Sequence, residues 1–324
     1  MRVKHLAVAV TMAATLVACA APHKGKLNPS INPDDPNGAL MLAVYNDSAR
    51  KINAAIDMGA GPNLRISGNS TLLILAANQG AEDAAAALLA RGANPNLTED
   101  NGTSPLIAAS YKGSLAMVAH LVKNGARVHH ANKEGQTALH AAAYGGHHKV
   151  IKTLVSAGLD PDARDKNGIT ALFVACEKGK YEAASALLQA RANPDLSNFN
   201  GHTPLMSATQ VGHREIARAL LKAGAHPNRQ TTKGGTAVII AAEYDMSHLI
   251  GPLAQGGAKL DLRDYSGATA LMIAAFKGNT KTVEALLEHG ADPKAKNGQS
   301  ATALDYARSA GHDDIAKILK RAIR

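Results

Sequence analysis

Tryptophan is absent from this chain, and its seven tyrosines and three phenylalanines make up only 3% of it. That excludes a core built around large rings. The 46% apolar content must come from alanine, leucine, isoleucine and valine, a supply suited to thin layers of closely packed helices. Cysteine is equally scarce: Cys19 and Cys176 are too few for a disulfide framework. Acidic residues number 26 against 35 basic ones, a formal net charge of +9, which favours acidic partners or anionic surfaces. No phosphate-cradling glycine loop, nucleophile elbow or zinc-protease helix occurs. The chain is therefore read as non-catalytic, with no cofactor and no metal expected.

What is present is a strict beat. Thr71, Ser104, Thr137, Thr170, Thr203, Thr236, Thr269 and Thr302 follow one another at intervals of 33 residues without insertion or deletion, and Gly38 holds the position one period earlier. A fixed period of this length marks stacked repeats in which each unit touches only its neighbours, and it puts binding ahead of catalysis. It also replaces the two-domain prior that 324 residues would otherwise suggest.

One period can be read in full. Gly135-Gln136-Thr137-Ala138-Leu139-His140-Ala141-Ala142-Ala143-Tyr144-Gly145-Gly146-His147 is followed by Leu154-Val155 and then Gly158-Leu159-Asp160-Pro161-Asp162. Thr137 and its equivalents are placed to cap a first helix, and Pro105 and Pro204 fall in a first turn, where a missing amide costs nothing. Leu-Leu pairs such as Leu187-Leu188 supply a second helix, ended by glycines such as Gly92 and Gly158 in the left-handed conformation. The pattern resembles the ankyrin repeat. The resemblance covers residues 38–324 in nine units and implies an all-α solenoid of helix-turn-helix repeats with projecting β-turn or hairpin fingers.

Two units depart from the pattern. Arg191 replaces the terminating glycine of the fifth, at an expected cost of about 1 kcal/mol if the left-handed geometry is kept. In the seventh, Asp245 replaces the glycine between the helices and Gly251-Pro252 falls inside the second helix, which predicts a kinked or shortened helix and a local hinge. Cys176 stands where other units have Ala77, Ala242 and Ala275, so it reads as a small buried thiol. The exposed residues of the last helix, Asp313 to Arg324, read as a solvated end cap.

Residues 1–18 have the layout of a secretory leader, with Arg2, Lys4 and His5 before an apolar run from Leu6 to Ala18 that is too short to span a bilayer. The run ends Leu16-Val17-Ala18-Cys19, which resembles the lipobox of bacterial lipoproteins. The resemblance implies cleavage before Cys19 and acylation of its sulfur, and hence a bilayer as one partner. Ala20 after the cysteine favours the outer membrane, facing the periplasm. Residues 19–37, with Pro22, Pro29, Pro33 and Pro36, read as the lipidated terminus and a tether.

The ankyrin resemblance also implies where a protein partner is held: on the fingers and at two outward positions near the end of each first helix. Counting along the period, those helix positions hold Tyr45, Tyr111, Tyr144, Tyr244 and Phe276 together with Lys112, Lys178 and Lys277. Phe199 and Tyr265 share one finger position, two periods apart. Seven of the ten aromatic residues thus map to this face, and aromatics among polar residues are typical interface anchors. The alternative is that the rings merely pack between adjacent first helices. Lys133, Lys166 and Lys233 add charge on the fingers, and Glu134, Asp165, Glu177 and Glu243 interrupt it.

Nucleic acid is not expected as a partner, since no dedicated motif accompanies the basic charge. His147, His213 and His312 follow the interhelix glycine, and His140 is placed to support a turn. His129, His130, His147 and His148 are the weak metal candidates. Two further readings of the whole stay open: a metal-handling or hydrolytic envelope protein, and an exported interaction effector.

Overall fold

The computed structural model describes residues 32–324. The leader over 1–18, the acylation candidate Cys19 and the tether up to residue 31 lie outside them. The described residues form eighteen α-helices in nine pairs and no strand. The first helices are α1 (Pro36–Tyr45), α3 (Leu72–Gln79), α5 (Pro105–Lys112), α7 (Ala138–Gly145), α9 (Ala171–Glu177), α11 (Pro204–Val211), α13 (Ala237–Glu243), α15 (Ala270–Lys277) and α17 (Ala303–Ser309). Each is followed by a second helix: α2 (Ala49–Asp57), α4 (Glu82–Ala90), α6 (Leu115–Lys123), α8 (His148–Ser156), α10 (Tyr181–Gln189), α12 (Arg214–Lys222), α14 (Ser247–Gln255), α16 (Thr280–Glu288) and α18 (Asp313–Ile323). Isolated β-bridges at the finger roots, such as Arg65 with Thr71 and Arg164 with Thr170, are the extent of β pairing among the described residues. No helix among them is long and apolar enough to cross a membrane. The described residues divide into two compact units, 32–141 and 142–324.

The repeated threonine does what its position predicts. Thr71 Oγ1 accepts from the Ile74 amide at 3.3 Å, and Thr170 from that of Phe173 at 3.2 Å; Thr203, Thr236, Thr269 and Thr302 cap in the same way. Each cap satisfies an amide that would otherwise be orphaned at a helix start. Pro105 and Pro204 are first helical residues. His140 works locally as expected: its Nδ1 accepts from the Thr137 amide at 3.2 Å and lies 3.0 Å from Thr137 Oγ1.

The inner first helices, α3 to α15, are buried along most of their length, whereas the end ones, α1 and α17, are not. In α9, Ala171 through Cys176 are all buried. Small side chains make this possible, since only alanine-sized residues let helices approach so closely on several sides. Cys176 is fully buried, and burial pushes its thiol far above the ordinary range, as befits an inert packing residue. Second helices bury one stripe, in α8 Val150, Ile151 and Leu154. The last, α18, buries Ile315, Ala316 and Leu319 and exposes Asp313, Asp314, Lys317, Lys320 and Arg321. At the other end α1 begins at Pro36, capped by Asp35, whose carboxylate accepts from the Gly38 amide at 3.0 Å. That is two residues ahead of the boundary read from the period.

The irregular units behave differently from one another. Arg191 keeps the left-handed geometry of the glycine it replaces, at φ 63°. Asp245 does so too, at φ 58°, and its carboxylate accepts from the buried Thr282 hydroxyl at 2.8 Å, which ties the turn to α16. The expected shortening at Pro252 is not found. Helix α14 runs unbroken for nine residues, as long as α8, α10, α12 and α16. Two causes explain the correction. Proline removes a single ladder bond in so short a helix, and Gly251 before it has no Cβ to clash with the ring. Gly251 is also constrained from outside, because a Cβ there would lie 3.0 Å from His289 Nε2.

Candidate interaction surfaces

The inner first helices, α3 to α15, emerge from the core chiefly at their C-terminal ends, where a left-handed turn follows. In the first unit Tyr45 is exposed at the end of α1, 41% accessible, and the half-buried Tyr111 stands beside the exposed Lys112 at the end of α5. The aliphatic stem of Lys112 runs over Gly80, where a Cβ would come within 3.2 Å of its Cε. Lysine stems covering backbone in this way contribute packing as well as charge.

In the second unit the predicted residues are brought into pairs. Lys178 Nζ stands 5.3 Å from the centroid of the half-buried Tyr144 ring, and 3.4 Å from Glu177 Oε2 at ion-pair distance. Its charge is thus shared between a ring face and a carboxylate. Phe276, 39% accessible, meets Tyr306 edge-on with centroids 6.1 Å apart, and the Tyr306 hydroxyl accepts from Asn297 Nδ2 at 3.0 Å. Lys277 beside it is half-buried. Burial, then the charge of Glu243, raise the Tyr244 phenol above its ordinary range, against a hydrogen bond with Gln210. The rings at the helix ends therefore both pack on their own chain and reach solvent.

The fingers have a different construction. Asn198 Oδ1 accepts from the amides of Asn200 and His202, both at 3.0 Å, and Asp264 Oδ1 from those of Ser266 and Ala268, both at 2.9 Å. Neighbouring tips are tied by one backbone bond each: Phe199 N–H donates to Asn167 O at 3.1 Å, Thr232 to Asn200 O at 3.0 Å and Tyr265 to Lys233 O at 3.1 Å. On this fixed edge Phe199 is 68% accessible and Tyr265 73%. The Arg164 guanidinium lies 5.4 Å from the Phe199 centroid, while its Nε donates to Gly168 O at 3.1 Å.

Asp165 was expected to interrupt the basic surface, and the structure corrects this. It is only 5% accessible, and its Oδ1 accepts from the amides of Asn167 at 2.8 Å and Ile169 at 2.9 Å. The sequence carried a signal for this role, since Asn132, Asp165, Asn198, Thr231, Asp264 and Asn297 share one register of the period. Two aromatic residues also escaped the sequence reading. Tyr306 backs Phe276, and the exposed Tyr181 opens α10, where it lines a hollow of about 160 Å³ with His148, Lys152 and Ser185.

No three His, Cys, Asp or Glu side chains converge as metal ligands among the described residues. His130 Nε2 is instead bonded to Gly102 O at 2.7 Å. His202 stacks edge-on to Phe173 with centroids 6.0 Å apart, and burial lowers its pKa to about 4. Cys19 lies outside the described residues.

A family profile described as "Ankyrin repeats (3 copies)" matches residues 73–165, 157–231, 220–297 and 238–323. Among solved structures, the ankyrin repeat domain of Bcl-3, described as a unique member of the IkappaB protein family, is 31% identical over 68% of this chain and 100% of that one, with a TM-score of 0.62. The human ASB11 ankyrin repeat domain is 28% identical over 68% of this chain and 98% of that one, with a TM-score of 0.60. No curated protein matches the sequence.

Proposed function

This chain belongs to the ankyrin-repeat family, whose domains are protein-interaction scaffolds, and from that premise we propose that it captures another protein without chemistry of its own. The contact surface consists of the fingers and the exposed first-helix ends. In the first unit these supply Tyr45, Tyr111 and Lys112. In the second they supply Tyr144, Lys178, Phe199, Tyr244, Tyr265, Phe276 and Lys277. The observation that carries the reading is the accessibility of Phe199 and Tyr265, 68% and 73%, in a chain with only ten aromatic residues. Exposed rings on a rigid edge bind with little loss of side-chain freedom.

The helix pairs are read as nine ankyrin units. The lipobox-like Leu16-Val17-Ala18-Cys19 supports a second element, anchoring in a bacterial envelope through acylated Cys19, on the outer membrane facing the periplasm. More than one acyl chain makes such an anchor lasting. Scaffolding, protection of an envelope enzyme under stress, and neutralisation of a toxin all suit a tethered binder. Crosslinked capture from the native envelope, run beside a Tyr111→Ala/Tyr144→Ala/Phe276→Ala variant of measured stability, tests the binding reading. A partner lost while the fold is kept supports it; capture that survives as stability falls assigns those rings to packing. Labelled-lipid incorporation that disappears in Cys19→Ala tests the anchor.

A further inference from the structure

The fingers of the second unit treat their two signs of charge differently. Their aspartates are engaged mainly by the backbone: Asp162 accepts from the Asn193 amide at 2.8 Å, Asp195 from that of His226 at 2.8 Å, with its second oxygen against the His226 ring, and Asp261 from that of Asp292 at 2.9 Å. Asp165 and Asp264 hold the finger roots, and Asp292 accepts from the Lys294 amide at 2.8 Å. The finger cations Lys166, Arg229, Lys233, Lys259 and Arg263 are all exposed, and no ion pair among the described residues engages them. Carboxylates held on backbone amides keep their charge but form no ion pair with these five cations, whose ammonium and guanidinium groups are left exposed for a partner.

Hydrophobic anchors stand in the same row. Lys166, Phe199, Thr232 and Tyr265 occupy equivalent tip positions of successive fingers, all exposed and tied finger to finger by the backbone bonds given above. With about 8–10 Å between adjacent repeats, Phe199 and Tyr265 stand about 20 Å apart. An extended polypeptide covers that distance in about six residues.

Resting on the reading of the chain as a protein binder, we infer that the finger edge of residues 142–324 receives an acidic, extended polypeptide segment with two apolar side chains about six residues apart. The apolar pair seats on Phe199 and Tyr265, and the acidic residues between and beside them face Lys166, Lys233 and Arg263.

The test is fluorescence anisotropy of the full chain with a labelled peptide of glutamate and serine carrying two leucines about six residues apart. Three comparison probes are a peptide of the same composition with adjacent leucines, poly-glutamate and single-stranded DNA. The expected result is binding of the spaced peptide, weakened about tenfold by adjacent leucines and about tenfold by Phe199→Ala/Tyr265→Ala, and lost in Lys166→Glu/Lys233→Glu. Equal binding of poly-glutamate or DNA, indifferent to Phe199 and Tyr265, overturns the inference in favour of a generic basic edge. Failure of every acidic peptide also overturns it; if the native partner is still captured through Tyr111, Tyr144 and Phe276, the reading as a protein binder stands without it.

Discussion

Phe276 and Phe199 come from the same scarce aromatic supply and both reach solvent, yet their situations differ. Phe276 at the end of α15 is braced edge-on by Tyr306, and in the same unit Tyr144 is covered by Lys178. Phe199 and Tyr265 sit on fingertips whose backbone is fixed by neighbours, and although the Arg164 guanidinium lies 5.4 Å from the Phe199 centroid, most of each side chain stays uncovered. The contrast teaches that an aromatic on a ligand face contributes to folding in proportion to what its own chain lays against it. The remainder is available to a partner.

The largest expected effect concerns the finger root that carries Phe199. His202 has a folded pKa of about 4 against an ordinary 6.5, because burial penalises its charged form. The unfolded chain therefore binds the proton first. The stability held by neutral His202 is complete above pH 6.5 and declines as pH falls towards 4, by about 3 kcal/mol in all. Urea midpoints taken across that window should show the slope, and His202→Leu should flatten it.

Next in size is Asn198→Ala, which removes both side-chain bonds of the same finger and should destabilise by about 2 kcal/mol in urea unfolding. Were it neutral, the fingertip would not be held in the way described. Phe276→Ala should cost about 1–2 kcal/mol through lost burial and the edge contact with Tyr306. Phe199→Ala and Tyr265→Ala should each stay within about 0.5 kcal/mol of the parent. Equal losses at Phe276 and Phe199 would erase the distinction between braced and largely uncovered rings.

Much of the fold was legible because its signals are short-range. A threonine cap acts over three residues and a terminating glycine over one, so the 33-residue period places them without knowledge of the neighbours. Pro252 misled because a general helix penalty was applied where the helix is only nine residues long and a glycine precedes the ring. Asp165 misled because formal charge says nothing of where a carboxylate turns; its two amide donors lie two and four residues ahead. The candidate rings were located by counting. Their pairing was not, since Phe276 and Tyr306 belong to successive repeats and nothing in either repeat alone announces the contact.

The most direct measurement is capture of the native partner by the full chain and by Phe199→Ala/Tyr265→Ala, with the urea midpoint of each determined in parallel. The double variant is expected to unfold at the parent's midpoint and to lose the partner. Undiminished capture, or a midpoint lowered as far as that of Phe276→Ala, would contradict this expectation.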